Sequence, residues 1–320
     1  MQIEVPAPSE TTHGALAIAI DLGGTKVESA IVDDTGALLP GTRARAATGP
    51  AASSADLAAS VASVVRSALN ALPADAILAG IGIGTAGPIT VSTGAVSPLN
   101  LPAWRGYPLH DLVQELAPET TVRLRMDGLC ITLAEHWVGA GIGVRNLMGM
   151  VISTGVGGGL ILNGQTVAGP SGNAGHIGHV EVGGFDDPCA CGGSGCLEAI
   201  ASGPNTVAWA KRQGWAGHTG EDLAAAYAAG DEIARAAVRR SGTAIGQAIS
   251  SATNLVDLDR VAIGGGFSHV TPDLFDFIRE AIELRTEFEF ARRVEVVPSS
   301  LSGEGPLIGA AALIHRAELV

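Results

Sequence analysis

Apolar and polar positions along the chain alternate between two periods, short buried runs of strand length and longer stretches with helical spacing. Ala15–Asp21 (ALAIAID) is a continuous apolar run interrupted by Gly23-Gly24 and resumed by Val27–Val32. With Asp33-Asp34-Thr35-Gly36 as a further turn, this predicts a hairpin meander rather than a βαβ unit. Ser54–Leu72 carries apolar residues at helical spacing, Ile77–Gly84 reads as a fully buried strand, Pro98–Pro108 as an irregular loop and His110–Leu116 as a short helix. Val122–Met126 is the next strand, with Asp127 at its C-terminal end and a helix running on to about Ala140. Met148–Ser153 repeats the opening arrangement: a strand, a glycine-rich turn over Thr154–Gly159, then a strand over Leu160–Leu162. Ala199–Ala252 is helical with breaks at Gly203-Pro204 and Gly214–Gly220. Arg260–Ile263 is a strand entering Gly264-Gly265-Gly266, followed by a helix (Asp273–Leu284), a strand (Val294–Val297) and a closing helix (Pro306–Ala317).

Strands alternating with helices in a chain of 320 residues predict an α/β protein of one large domain or two lobes. Only 4% of residues are aromatic against 47% hydrophobic, so the core must be built from Ala, Val, Leu and Ile. The net charge of −13 repels phosphate backbones, and no Lys/Arg cluster interrupts it, which argues against a nucleic-acid partner. No apolar run is long enough to span a bilayer, and Met1–Gly14 lacks the basic start and apolar core of an export signal. The expectation is a soluble, cytoplasmic protein with no membrane partner.

Chemistry concentrates in Gly172–Glu198. Cys189, Cys191 and Cys196 fall within eight residues, with His176 and His179 shortly upstream. Three thiols and an imidazole are the donors of a closed tetrahedral Zn²⁺ site, and Gly192, Gly193 and Gly195 let the chain turn between them. A disulfide or idle thiols are the alternatives; intracellular thiols stay reduced, which weighs against the first. Asp21-Leu22-Gly23-Gly24-Thr25-Lys26 joins a carboxylate to a tight turn whose amides can meet phosphate oxygens, with Asp21 able to hold Mg²⁺ directly or through water. Thr154, Gly155 and Gly157 belong to a second such turn, and Gly265-Gly266 to a third. None has Walker spacing. Asp127, after a strand and before a helix, is placed either as a helix N-cap or as a base for a substrate hydroxyl.

Together, DLGGTK (Asp21–Lys26), STGVGGG (Ser153–Gly159), GHIGH (Gly175–His179) and CACGGSGCLE (Cys189–Glu198) resemble the ROK family of repressors, open reading frames and sugar kinases, over Ala15 to Leu313. The resemblance implies a two-lobed actin/hexokinase-like (ribonuclease H-like) fold with a zinc-binding loop. One lobe would span 14–128, closed by a C-terminal helix at 305–318, and the other 129–304. It further implies a homodimer, or a tetramer, that binds ATP, Mg²⁺ and a sugar in the inter-lobe cleft. Asp127 would be the general base, probing a 6-hydroxyl by family default, and His179 both a zinc ligand, with Cys189, Cys191 and Cys196, and a sugar contact. Glu198 would also bind the sugar, as would Gly87 and Asn100 from neighbouring loops. Asp21, Gly23, Gly24, Thr25, Lys26, Thr154, Gly155 and Gly157 would serve the phosphates, and Gly265 and Gly266 the adenosine. The chain starts close to the first phosphate turn, leaving no room for the helix-turn-helix of family repressors, which favours the kinase branch. Two positions depart from the family pattern: Met126 stands where the kinases usually have Asn, and His176 where they usually have Glu. Both are sugar contacts in the family, so the substrate does not carry over, and a non-catalytic sugar sensor is the alternative.

Overall fold

The computed structural model describes residues 14–301 and 303–320; the stretch 1–13, most of the segment in which no export signal was read, lies outside them. The first half contributes β1 (Leu16–Leu22), β2 (Lys26–Val32), β3 (Ala44–Ala47), α1 (Ser54–Asn70), β4 (Leu78–Thr85), the small hairpin β5 (Ile89–Thr90) and β6 (Ala95–Val96), α2 (Leu109–Leu116) and β7 (Val122–Met126). These form a five-stranded sheet of order β3-β2-β1-β4-β7. The β1–β2 and β2–β3 pairs are antiparallel, while β4 and β7 continue parallel to β1. The predicted hairpin meander is present, with β3 as its unpredicted third member.

The second half follows from α3 (Asp127–Val138) through β8 (Leu147–Ile152), β9 (Val156–Leu162) and β10 (Gln165–Thr166) to a helical block. That block is α4 (Leu197–Ala201), α5 (Gly203–Arg212), α6 (Gly220–Ala228) and α7 (Glu232–Val256). Then come β11 (Arg260–Gly264), α8 (Asp273–Arg285), α9 (Glu289–Arg292), β12 (Glu295–Pro298) and α10 (Gly305–His315). The second sheet has the order β10-β9-β8-β11-β12, with β8–β9 antiparallel and β11 and β12 parallel to β8. Its topology duplicates the first, as the repeated strand–turn–strand pattern implied.

Side-chain size decides which helix lies on which face. In β1 the large residues Leu16, Ile18 and Ile20 alternate with Ala17 and Ala19, because successive residues of a strand face opposite sides. The large face packs on α1 and α2 around Leu57, Val61 and the fully buried Trp104. The small face meets Leu307, Ala310 and Ala311 of α10. The approach is so close that a Cβ on Gly82 would fall 1.8 Å from the Ala310 carbonyl oxygen. On the second sheet, α5, α7 and α8 cover one face around Met148, Met150 and Ile263, and α3 lies against the other. Helices α3 and α10 also pack on each other, where a Cβ on Gly309 would meet the Cys130 carbonyl oxygen at 1.8 Å.

The glycine-rich segment after β8 differs from its sequence reading. The turn is confined to Ser153–Gly155, and Gly157, Gly158 and Gly159 belong to β9. Their role there is contact: a Cβ on Gly159 would lie 2.6 Å from the Gly128 carbonyl oxygen, and one on Gly128 would lie 2.2 Å from that of Gly158. The three glycines let the first turn of α3 seat directly on the strand. No helix among the described residues is long and apolar enough to cross a membrane.

Candidate active site

Asp127 opens α3 directly after β7, and its Oδ1 accepts the Gly128 N–H at 2.7 Å. Burial pushes its pKa up to about 6, the Gly128 N–H opposes the rise, and the charge of Glu198 adds to it. Asp21, near the C-terminal end of β1, is pushed up to about 7, by burial first and then by the charges of Asp127 and Glu28. The two carboxylates lie at the C-terminal ends of β1 and β7, which β4 separates in the sheet, and both are poorly solvated, with the charge of Asp127 adding to the rise at Asp21.

The β1–β2 turn closes with the Gly23 N–H donating to the Lys26 carbonyl at 2.9 Å, and Thr48 Oγ1 donating to the Gly23 carbonyl at 2.9 Å. Thr25 is exposed at its tip. Lys26 does not stand free beside the turn: its Nζ lies 2.5 Å from Glu28, which is 3% exposed. Burial alone would raise Glu28, but hydrogen bonds from Lys26, Arg43 and Arg45 hold it down at about 2. This network is absent from the sequence reading, since Arg43 and Arg45 reach Glu28 only once β3 pairs with β2. Asn100 lies over Gly24, where a Cβ would sit 2.4 Å from its Nδ2, so the structure places Asn100 against the first turn.

Across the cleft, Thr154 is exposed in the second turn, and Glu198, in α4, anchors beside it by accepting the Val156 N–H at Oε2 (2.9 Å). A Cβ on Gly155 would lie 2.6 Å from that carboxylate, and one on Gly157 3.8 Å from Asp127 Oδ1, so the second hairpin bridges the two acids. The third turn adjoins the second: a Cβ on Gly265, whose φ is +93°, would strike the backbone of Ile152, and one on Gly266 would lie 3.9 Å from Ser153 Oγ.

His176 precedes the short 3₁₀ turn Ile177–His179 and His179 ends it, with ring centroids 5.2 Å apart. Burial, and then the neighbouring His179, hold His176 below the ordinary imidazole pKa. Its Nε2 and Met126 Sδ each lie 2.8 Å from where a Cβ on Gly87 would be, so three elements meet at one corner beside Asp127. The 86–100 loop is tied to this side by Asn173, which accepts the Ile89 N–H at 2.8 Å and donates Nδ2 to the Ile89 carbonyl at 2.7 Å. Asn173 sits in a segment without periodicity, and nothing in the sequence marks it.

The ligand atoms of His179, Cys189, Cys191 and Cys196 lie within 4.8 Å of one another. His179 Nδ1 is 3.6 Å from Cys189 Sγ, and Cys191 and Cys196 are 3.7 Å apart, far beyond a disulfide bond. A Zn–S distance of about 2.3 Å in a tetrahedron implies donor separations of roughly 3.8 Å, so this set fits Zn²⁺. His179 offers Nδ1 to the sulfurs, which leaves Nε2 on the opposite edge of the ring. The loop is braced by Asp187, which pairs with Arg240 of α7 and, at 3.1 Å, with Arg212 of α5. Cys130, in the same helix as Asp127, is fully buried.

The ROK family model matches residues 17–317. The chain belongs to the ROK family. Among ROK relatives, a glucokinase from Halalkalibacterium halodurans is 32% identical over 75% of this chain and 77% of its own length. An N-acetylmannosamine kinase from Yersinia pseudotuberculosis is 32% identical over 94% of this chain and 99% of its own. A ROK family glucokinase from Streptomyces griseus, solved with glucose and AMPPNP, superposes with a TM-score of 0.81 at 27% identity, covering 94% of this chain and 100% of that one. The ROK hexokinase of Thermus thermophilus gives 0.80 at 27%, over 95% and 99%.

Proposed function

We propose that this ROK-family kinase transfers the γ-phosphoryl group of ATP to a hydroxyl, the 6-hydroxyl, of a hexose or amino sugar, with Asp127 as general base. The carrying observation is the Asp21–Asp127 pair, set between two glycine hairpin turns at the C-terminal ends of strands, where α/β sheets place their ligands. The names of the relatives, glucokinase and N-acetylmannosamine kinase, support the acceptor class, and the AMPPNP complex of the Streptomyces griseus protein supports the donor. In this reading residues 14–128 with 305–318 form one lobe and 129–304 the other.

Phosphoryl transfer requires positioning and charge neutralisation more than covalent chemistry. The amides of Gly24 and Gly155 face the phosphates, the Gly23 N–H holding the first turn closed, and Gly265 and Gly266 border the adenosine. Asp21 supplies oxygen ligands that suit Mg²⁺, which when bound neutralises charge on the transferring group. Asp127 accepts the proton of the attacking hydroxyl; its raised pKa makes it a stronger base than an exposed carboxylate while leaving it ionised at neutral pH. Glu198 keeps Oε1 for a sugar hydroxyl while Oε2 is held by Val156. Zn²⁺ on His179, Cys189, Cys191 and Cys196 fixes the wall of the pocket and takes no part in the transfer.

Measuring ADP release over a panel of hexoses and amino sugars tests the reading. Asp127→Asn should lower kcat by roughly 10²–10⁴-fold, the usual worth of a positioned base, while calorimetric sugar binding persists. An unchanged rate would remove Asp127 from that role.

A further inference from the structure

We infer that Glu135 and Ser299 are positioning residues that hold Asp127 in register with the turn assigned to the adenosine; this rests on the kinase reading of the cleft. Glu135 is 1% exposed, yet both donors on its carboxylate are neutral, the Ala140 N–H at 2.7 Å and the Ser299 hydroxyl. It also stands in the last turn of α3, where the helix dipole disfavours negative charge. A buried carboxylate with neutral partners at that end of a helix is costly to keep. A neutral side chain would serve the helix better, so the value of Glu135 lies in what it joins.

Ser299 follows β12 directly. Its N–H donates to the Ile263 carbonyl at 2.8 Å, and its Cβ lies 3.0 Å from where a Cβ on Gly264 would be, so it rests on the residue that opens the third turn. Its Oγ accepts the Leu301 N–H at 3.2 Å while donating to Glu135, which leaves the hydroxyl one orientation. From Glu135, α3 runs back eight residues to Asp127, about 12 Å of helix. The contacts of Gly128 with Gly158 and of Cys130 with Gly309 seat α3 on β9 and α10. The Ser299 hydroxyl adds the tie to the nucleotide side. A base acts only within hydrogen-bond reach of the proton it takes, and misplacement by about 1 Å costs roughly 10²-fold in rate.

Ser299→Ala and Glu135→Gln, singly and together, test the inference, with zinc content and circular dichroism checking that each variant is folded. Each single variant should lower kcat about tenfold or more. Calorimetric affinities for the sugar and for AMPPNP should stay within about threefold, because neither residue touches a ligand in this reading. The double variant should be no slower than the slower single one, since both changes break the same contact. Amide exchange at Gly128, whose N–H is held by Asp127 Oδ1, should quicken about tenfold in Ser299→Ala, which reads the first turn of α3 without turnover. Rates within about twofold of the parent in both single variants, or losses that multiply in the double one, would overturn the proposal. If the parent phosphorylates no sugar, the kinase reading fails, and exchange at Gly128 decides the role of the contact: a rise supports it and no change overturns it.

Discussion

Asp21 and Asp127 hold their protons more tightly in the folded chain than in the unfolded one, and this has a consequence for stability as well as rate. Both folded pKa values, about 7 and about 6, lie above the ordinary 3.8. The folded state therefore binds more protons, so the stability from these groups is complete below about pH 4 and is lost as pH rises through 6 and 7. At pH 8, Asp127→Asn should make the ligand-free protein more stable by roughly 2 kcal/mol in urea unfolding, and the gain should vanish near pH 4. No gain at pH 8 would mean that the carboxylate is solvated. Turnover runs the other way, since a base must be ionised: kcat/KM should fall about tenfold per pH unit below about pH 6. Glu28, held at about 2, has the opposite sign, with stability present above its ordinary 4.5 and lost toward pH 2. Asp127 and the cysteines were legible in the sequence because each stands at a fixed distance from a strand end or from its own partners. The Glu28 network and Asn173 were not, because their partners meet them only through strand pairing and loop packing.

At the scale of elements, the glycines carry most of the information. Gly82, Gly128, Gly159 and Gly309 all lie where backbone meets backbone, and so does Gly178, where a Cβ would fall 2.0 Å from the Val156 carbonyl oxygen. In sequence they resemble turn residues, and Gly157–Gly159 was accordingly read as turn when it is strand. Gly309→Ala should cost about 2–4 kcal/mol of unfolding free energy, because neither α3 nor α10 can retreat without opening a sheet face. A cost below 0.5 kcal/mol would show the helix crossing to be loose. The zinc loop is an element of another kind, without regular structure beyond its 3₁₀ turn and held by its ligands and by Asp187. Metal analysis should find about one zinc per chain, and Cys191→Ser should lose it; full zinc in that variant would mean a different donor set. Losing the metal should also weaken sugar binding, because His179 would no longer be held by Nδ1.

For the whole molecule, the duplicated topology was legible because both halves open with the same buried strand, glycine turn and return strand. The minor pieces β3, β5, β6 and α9 were not, being four residues or fewer and without a period to detect. The chain passes between the two sheets twice, once through α3 and once from β12 to α10. These passages are fastened to one another, by Gly309 on Cys130 and by Ser299 donating to the buried Glu135 of α3. The last residues add a further tie, with Thr166 Oγ1 donating to the Leu319 carbonyl at 2.6 Å. Sliding of α3 along α10 would drive peptide atoms into each other where Gly309 meets Cys130. On the two-lobed reading proposed above, any change in the width of the cleft would run through this helix pair, and Asp127, on the first turn of one of those helices, would lie close to the axis.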